Sequence, residues 1–511
     1  MPIPSPAPSN QDLIRHLAEQ ALSRSAGAPL VGGNQVELLY DSVENFPAWE
    51  QAIASSRDSV FIEMYIFAND AFGLRMRDLL TERALAGVKV CVLYDWLGSW
   101  KAHLGSFFKP LLAAGAELRA YNPPSLTSGL SMLGRNHRKL IVIDRRTVFV
   151  SGLCISSSWE GRPERGLAPW RDTGVKLCGP LAADALAAFA DSWASCGSPL
   201  PETWLSPPPE PEEARGSVAA RLIATTPATA QMMRLDLLIA CFARRTLWLT
   251  DAYFMGTSMY LTALKQAARD GVDVRLLVPR SSDIGWIATV SRTQYRPLLE
   301  AGVRVFEWDG PMIHAKTAVA DGRWARIGST NLNLSSWLAN RELDVAVEDQ
   351  ALAEKLAQQF LLDLDHSTEV ILAGQRRRPT LTKPRPKDYH GLLLPPRTAA
   401  ISGASAAARQ AARIGDALGV VVRGTRTVDA SEASAFLTIG VALLICAGLI
   451  AFFPWLVAGP LLFLLLLSGG AIVAKACGLY WSRRGKKQQP PLPRQPSQDA
   501  DKDNQNSQLD D

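Results

Sequence analysis

The stretch NHRKLIVIDRRTVFVSG (136–152) returns in the second half of the chain as IHAKTAVADGRWARIGS (313–329), and this return decides the fold. The same order of elements is found twice along the chain. Working outward, the preceding segments match too. SVFIEMYIF (59–67) answers to RTLWLTDAYF (245–254), and LAGVKVCVLYD (85–95) to RDGVDVRLLVP (269–279). LAAGAELRAYNPP (112–124) answers to LEAGVRVFEWDGP (299–311). Short apolar strands alternating with helical stretches of about a dozen residues imply βαβ units on a mixed or parallel sheet. Four matched elements in one order predict an α/β protein of two repeated lobes packed around one shared site. The Pro- and Glu-rich SPLPETWLSPPPEPEEARG (198–216) reads as the connection between them.

Each copy carries His-x-Lys-x4-Asp: His137, Lys139 and Asp144, then His314, Lys316 and Asp321. The whole chain holds six histidines, and two of them occupy equivalent places in the repeat. Residues two apart on a strand share a face, so each His and Lys can project into the same cavity. Asp144 and Asp321 lie an odd number of residues further on, which places them on the other face or in the turn, as support. Ser151 and Gly152 follow in the first copy, and Gly328, Ser329, Thr330 and Asn331 in the second. Glycine lets backbone N–H groups approach an anion, and Ser or Asn side chains can donate to phosphoryl oxygens. Asp172 and Glu342, in WRD and NRE, each precede an alternating apolar run and could fix an imidazole's tautomer. Glu63, on the first strand, is either a buried partner or an exposed strand carboxylate. Four basic side chains facing a phosphate require neither a metal nor a cofactor.

With its internal duplication, its two HxKx4D motifs and their Gly-Ser turns, the chain resembles the phospholipase D superfamily. IEMYIFANDAFG (62–73), LYDWLGS (93–99), WRDTGVKLCGP (170–180) and IGSTNLNLSSWLANREL (327–343) are similar, more narrowly, to bacterial cardiolipin synthases. The resemblance spans roughly 35–350. It implies transfer of a phosphatidyl group from a phospholipid to a second lipid alcohol such as phosphatidylglycerol, through a phosphohistidine. It also suggests His137 as nucleophile and His314 as acid and base, with Lys139, Lys316, Ser329 and Asn331 around the phosphate. The symmetry of the repeat leaves the two histidines interchangeable. One departure stands out: Cys154 occupies the place where the family has Asn, which shifts phosphate contacts in the first copy to Ser151 and Ser156. A hydrolytic phospholipase D, a phosphodiesterase or nuclease of the same superfamily, and a non-catalytic membrane scaffold are the alternatives.

Charge and hydropathy bear on the partner. The chain carries +5, and residues 375–426 alone hold eleven Lys/Arg against two Asp, so the remainder is net negative by about four. A body that is not basic throughout disfavours nucleic acid, and a basic collar beside an apolar tail favours a lipid surface. Two apolar runs, 433–453 and 455–474, are separated by Pro454 and flanked outside by Arg and Lys. Each is long enough to span a bilayer, predicting a transmembrane hairpin with both ends cytoplasmic. Seven scattered cysteines form no CxxC or disulfide framework, in keeping with a reducing compartment. The expected organisation is a lead helix (1–34), a first lobe (35–197), a linker (198–220) and a second lobe (221–372). A basic tether with a possible interfacial helix (373–430), the hairpin (431–476) and a disordered cytoplasmic tail (477–511) complete it. The expected location is the bacterial inner membrane, with the lobes on its cytoplasmic side; oligomeric state is not legible.

Overall fold

A computed structural model of the protein describes residues 10–124, 134–205 and 216–372. The tether, hairpin and tail expected beyond 372 lie outside the described residues. Among the described residues no helix is long and apolar enough to cross a membrane.

The repeat is visible as a sheet. In the first half the strands are β1 (Val31–Tyr40), β2 (Ser59–Met64), β3 (Lys89–Asp95), β4 (Glu117–Tyr121), β5 (Lys139–Ile143), β6 (Thr147–Ser151) and β7 (Thr173–Cys178). In the second they are β8 (Val218–Thr225), β9 (Thr246–Thr250), β10 (Asp273–Pro279), β11 (Arg304–Trp308), β12 (Thr317–Ala320), β13 (Trp324–Gly328), β14 (Glu342–Val347) and β15 (Ser367–Val370). Strand β8 begins inside the stretch read as linker. The order β15-β11-β10-β9-β12-β13-β14-β8-β1-β7-β6-β5-β2-β3-β4 repeats one seven-strand pattern outward from the β8–β1 seam, with β15 as an extra edge. Strands β2, β3 and β4 run parallel, as do β9, β10 and β11, while β5–β7 and β12–β14 are antiparallel meanders.

Strand β2 is buried at every position, which explains why SVFIEM reads as a near-continuous apolar run. One core joins the halves: Val142, Val150, Val175 and Leu177 meet Val319, Ile327, Val345 and Val347, with Phe189 and Leu356 from helices Leu181–Ala194 and Gln350–Asp365. The outer face of the first sheet is covered by helices Asp41–Ala54 and Ala71–Leu85, through Trp49, Phe72 and Met76. The second is covered by Gln231–Phe242 and Ser258–Arg269, against which the N-terminal helix Asn10–Ala26 also packs.

The two β-hairpins behind the motifs close alike. The turn after β5 has positive φ at Asp144 and Arg145 (51° and 58°), and that after β12 at Asp321 and Gly322 (55° and 65°). Such turns favour Asp and Gly, which tolerate that conformation. The Asp144 carboxylate accepts from the backbone N–H of Arg57, Asp58 and Ser59 at 3.0, 2.8 and 2.9 Å. Asp321 accepts from Arg244, Arg245 and Thr246 at 2.9, 2.7 and 2.9 Å. Each thereby ties its hairpin to the entry of β2 or β9.

Candidate active site

His137 stands two residues before Lys139, which opens β5, and His314 three before Thr317, which opens β12, both at the sheet end remote from the Asp turns. Val60 pairs with Ile143 and Met64 with Lys139, so about 13 Å of strand separates Asp144 from the His137 end. The structure therefore brings His137, Lys139, His314 and Lys316 together and leaves Asp144 and Asp321 at the opposite end.

Backbone stitches fix the two histidines across the lobes. His137 N–H donates to Arg341 O at 2.9 Å, and His314 N–H to Arg171 O at 2.7 Å. The side chains cross in the same sense. His137 Nδ1 lies 2.9 Å from Glu342 Oε2, and His314 Nδ1 lies 2.8 Å from Asp172 Oδ2. Each histidine is thus oriented by a carboxylate from the other lobe (crossed pairing). Among the described residues neither Nε2 has a protein hydrogen-bond partner, and a neutral ring donating through Nδ1 presents its lone pair there.

Burial sets the electrostatics. His137 is 9 % exposed and His314 4 %, while both carboxylates are fully buried. Desolvation holds the His137 pKa below the ordinary histidine range, with Glu342 pulling it up and Lys139 and Lys316 pushing it down. For His314, burial and the Lys316 charge lower the pKa to about 4 against the pull of Asp172. Burial alone would raise Asp172 and Glu342, but their histidine partners and the nearby lysines bring both below the usual carboxylate range. Lys316 falls to about 8, chiefly through burial, and Lys139 is lowered by the same cause. That each histidine feels both lysines means the two motifs share one site.

Two carboxylate holders differ. Ser329 Oγ donates to Glu342 Oε2 at 2.6 Å. In the first lobe the equivalent residue is Gly152, where an added Cβ would lie 2.1 Å from Asp172 Oδ1. Trp159 Nε1 supplies the missing donor, 2.9 Å from Asp172 Oδ2. Gly328, the counterpart of Ser151, is equally crowded: its Cβ would lie 2.4 Å from Asp344 Oδ1.

The phosphate contacts expected of the first copy are taken up internally. Ser151 Oγ donates to Leu153 O at 3.3 Å, and Ser156 Oγ to Asp70 Oδ2 at 2.8 Å. Cys154 is buried, its thiol pKa raised by burial although Lys139 draws it down. Its counterpart Asn331 is 3 % exposed, and its amide makes no hydrogen bond among the described residues. Glu63 is fully buried and accepts from Asn136 Nδ2 at 2.8 Å, bracing the residue beside His137. In the second lobe Asp251, one place further along the matching strand, accepts from Leu332 N–H at 2.9 Å and is pushed by burial to about 7.

Sequence reading missed an aromatic enclosure. Tyr65 lies 5.0 Å from the His137 ring and 5.3 Å from Lys139 Nζ; Tyr253 lies 5.7 Å from His314 and 5.5 Å from Lys316 Nζ. They stand one place apart in the repeated first strand, third in EMYIF (63–67) and fourth in TDAYF (250–254), so the repeat did not mark them as a pair. Trp159 and Trp170 border His314 at 5.3 and 5.9 Å and have no such counterpart. Among the described residues no group of three His, Cys, Asp or Glu is placed to hold a metal ion.

A family model described as "Cardiolipin synthase, PLD-like domain" matches residues 50–162 and 240–364, once per lobe. The chain is 33 % identical over 380 residues to a cardiolipin synthase of Geobacillus thermodenitrificans, covering 73 % of this chain and 74 % of that one. It is 32 % identical over 360 residues to cardiolipin synthase A of Pseudomonas aeruginosa, covering 70 % and 72 %. Among solved structures, the phosphatidylserine synthase of Haemophilus influenzae shares the fold, with a TM-score of 0.55 at 15 % identity over 69 % of this chain and 92 % of that one.

Proposed function

The chain belongs to the cardiolipin synthase family of phospholipase D-like phosphatidyltransferases, and from that premise we propose that it joins a phosphatidyl group to the hydroxyl of a second phospholipid through a histidine-bound intermediate. Phosphatidylglycerol, serving as both donor and acceptor, is the substrate this reading favours. The observation that carries it is the crossed pairing, which gives one buried centre two imidazoles of like tautomer and two ammonium groups.

In the first step the Nε2 lone pair of one ring attacks phosphorus, and the bond from phosphorus to the departing glycerol oxygen breaks. That oxygen takes its proton from Nε2 of the other ring. In the second step the incoming alcohol gives its proton back to that Nε2, its oxygen bonds to phosphorus, and the phosphorus–nitrogen bond breaks. One ring must be protonated at the outset. A bound phosphodiester favours this, because its negative charge offsets the lysines that hold both pKa values down. Lys139 and Lys316 then face the non-bridging oxygens as charge redistributes, with the Asn331 amide as a neutral donor. Asp172 and Glu342 keep the rings in register and stabilise the imidazolium when it forms.

We also place the enzyme at the bacterial cytoplasmic membrane with its lobes on the cytoplasmic side, held by an apolar hairpin over 431–476. The lengths of the two apolar runs and the positive residues outside them support this.

The test is incubation of the purified full chain with labelled phosphatidylglycerol. Cardiolipin and free glycerol are expected from the wild type, and neither from His137→Ala or His314→Ala. Unchanged product from either variant would sink the two-histidine mechanism. Phosphatidic acid without cardiolipin would identify a hydrolase instead.

A further inference from the structure

Exposed apolar side chains leave the site from both lobes. After β3 the chain turns through residues 96–104, where Ser99 Oγ accepts from Phe67 N–H at 2.9 Å and donates to Tyr65 O at 3.3 Å. This pins the segment directly behind Tyr65, yet Leu97, Trp100 and Leu104 are 49, 47 and 70 % exposed. After β10, Asp283 accepts from the Tyr253 hydroxyl at 2.8 Å, and the next residue, Ile284, is 39 % exposed. Asn333 Nδ2 donates to Tyr253 O at 3.0 Å, and the residue after it, Leu334, is 54 % exposed. Trp159 and Trp170 both touch His314, and the loop between them carries Leu167 at 50 % exposure. Six exposed apolar side chains therefore lie on segments tied to the aromatics that border the two histidines, and together they mark a rim beside the site.

The charges among them are largely basic. Lys101 lies beside the Trp100 ring at 5.6 Å, and Arg162 and Arg165 flank Leu167 on its loop. None of the three has an ion-pair partner among the described residues. Glu164 is the one acid of residues 161–169, and Asp283 is engaged by Tyr253.

We infer that this rim is a membrane-docking face, distinct from any C-terminal anchor, that seats the catalytic mouth on a bilayer with anionic headgroups. The inference rests on the reading that the substrate is a bilayer lipid. Such a lipid holds its phosphate at the water interface and its chains in the hydrocarbon. An enzyme with two buried histidines must then bring its mouth to the lipid. Trp and Leu set among Lys and Arg suit that boundary: the apolar parts sink below the headgroups while the cations meet lipid phosphates. Exposed leucines elsewhere provide the contrast. Leu85 and Leu112, 73 and 52 % exposed, precede β3 and β4 and so lie at the opposite end of the sheet.

The full chain, reconstituted into phosphatidylglycerol vesicles bearing a photoactivatable diazirine on the acyl chain, tests this. Label is expected in the peptides containing Leu97–Leu104, Leu167 and Ile284, and not in those containing Leu85 or Leu112. Equal labelling of Leu85 and Leu112, or an unlabelled rim, overturns the proposal; a rim reserved for a protein partner would give the second result. The triple variant Leu97→Ser, Trp100→Ser, Leu104→Ser should keep its thermal melting profile. Its turnover of vesicle lipid should fall about ten-fold or more, with less than about two-fold change on a water-soluble short-chain analogue. Equal loss on both substrates, or on neither, overturns the proposal. Labelling does not need turnover: a labelled rim on a chain that makes no lipid product would defeat the transferase reading and leave the docking face standing. Bilayer turnover with an unlabelled rim would do the reverse.

Discussion

The two lobes hold their histidines with the same backbone bridges and with different side chains. In the second lobe a serine hydroxyl, Ser329, supports Glu342; in the first, a glycine makes room and the indole of Trp159 supports Asp172. A buried amide, Asn331, stands in the second lobe at the place where the first has a buried thiol, Cys154. Duplication fixed the positions of the reacting atoms, while the supporting parts diverged wherever a different group could make the same hydrogen bond. The geometry of the two histidines is thus common to both lobes, and the groups that support them are not.

The severest way to break the comparison is to remove the rings. His137→Ala and His314→Ala should each lower kcat by about 10⁴-fold or more, and the double variant little further, since the two act as one unit. A double variant markedly worse than either single would show that the lobes act independently. Next are the crossed carboxylates: Asp172→Asn and Glu342→Gln should each cost about 10²- to 10⁴-fold in kcat by presenting the wrong tautomer. Nitrogen NMR of the imidazoles should show Glu342→Gln perturbing His137 and leaving His314 unchanged, with the converse for Asp172→Asn. A same-lobe response would contradict the pairing.

The support residues sharpen the contrast further. Gly152→Ala drives a methyl group into Asp172 and should reduce kcat by more than about ten-fold. Ser329→Ala removes one hydrogen bond to a buried carboxylate, worth about 1.5–3 kcal/mol, and should spare more activity if a water replaces it. Comparable kcat for the two variants would mean that Asp172 yields more easily than the packing suggests. Asp144→Ala and Asp321→Ala should leave kcat within a few-fold but lower the melting temperature, because each frees three backbone donors; an equal loss of kcat and stability would place them nearer the chemistry.

The pH profile should move least. Lys316 holds its charge only up to about pH 8, so kcat/KM of the free enzyme should fall as pH rises through that value rather than near an ordinary lysine's 10.4. Lys316→Arg should remove that alkaline limb from whatever activity remains, since guanidinium stays charged. On the acid side His314 remains neutral to about pH 4, so the limb assigned to it should lie below the usual 6.5. Any stability linked to that neutral, buried ring is present above about pH 6.5 and lost as pH falls towards 4.

Much of this was legible in the chain because the repeat compares the sequence with itself. HxK at strand spacing placed each His and Lys on one face, and the odd offset of Asp144 and Asp321 kept them off it. The crossed pairing was not legible: Asp172 and Glu342 each lie near both motifs in some packing, and only the meeting of β7 and β14 with the opposite lobe decides between them. Tyr65 and Tyr253 were not legible as a pair, because they fall one place apart in the matched strands and tyrosine on a strand reads as core. Trp159 was beyond reach for another reason: SSW occurs in both copies (157–159 and 335–337), but the Trp337 indole donates to Asp236, and nothing in the sequence tells which indole supports a site carboxylate. Ser156 failed as a phosphate contact for a local reason: Asp70 already engages its hydroxyl.

Each half of the polypeptide keeps the other's proton in place. A fragment severed near the Pro-rich connection would carry a histidine with no carboxylate to orient it, however well it folded. Damage to either copy is therefore felt in its sister, so natural selection can purge or refine the halves only as a couple.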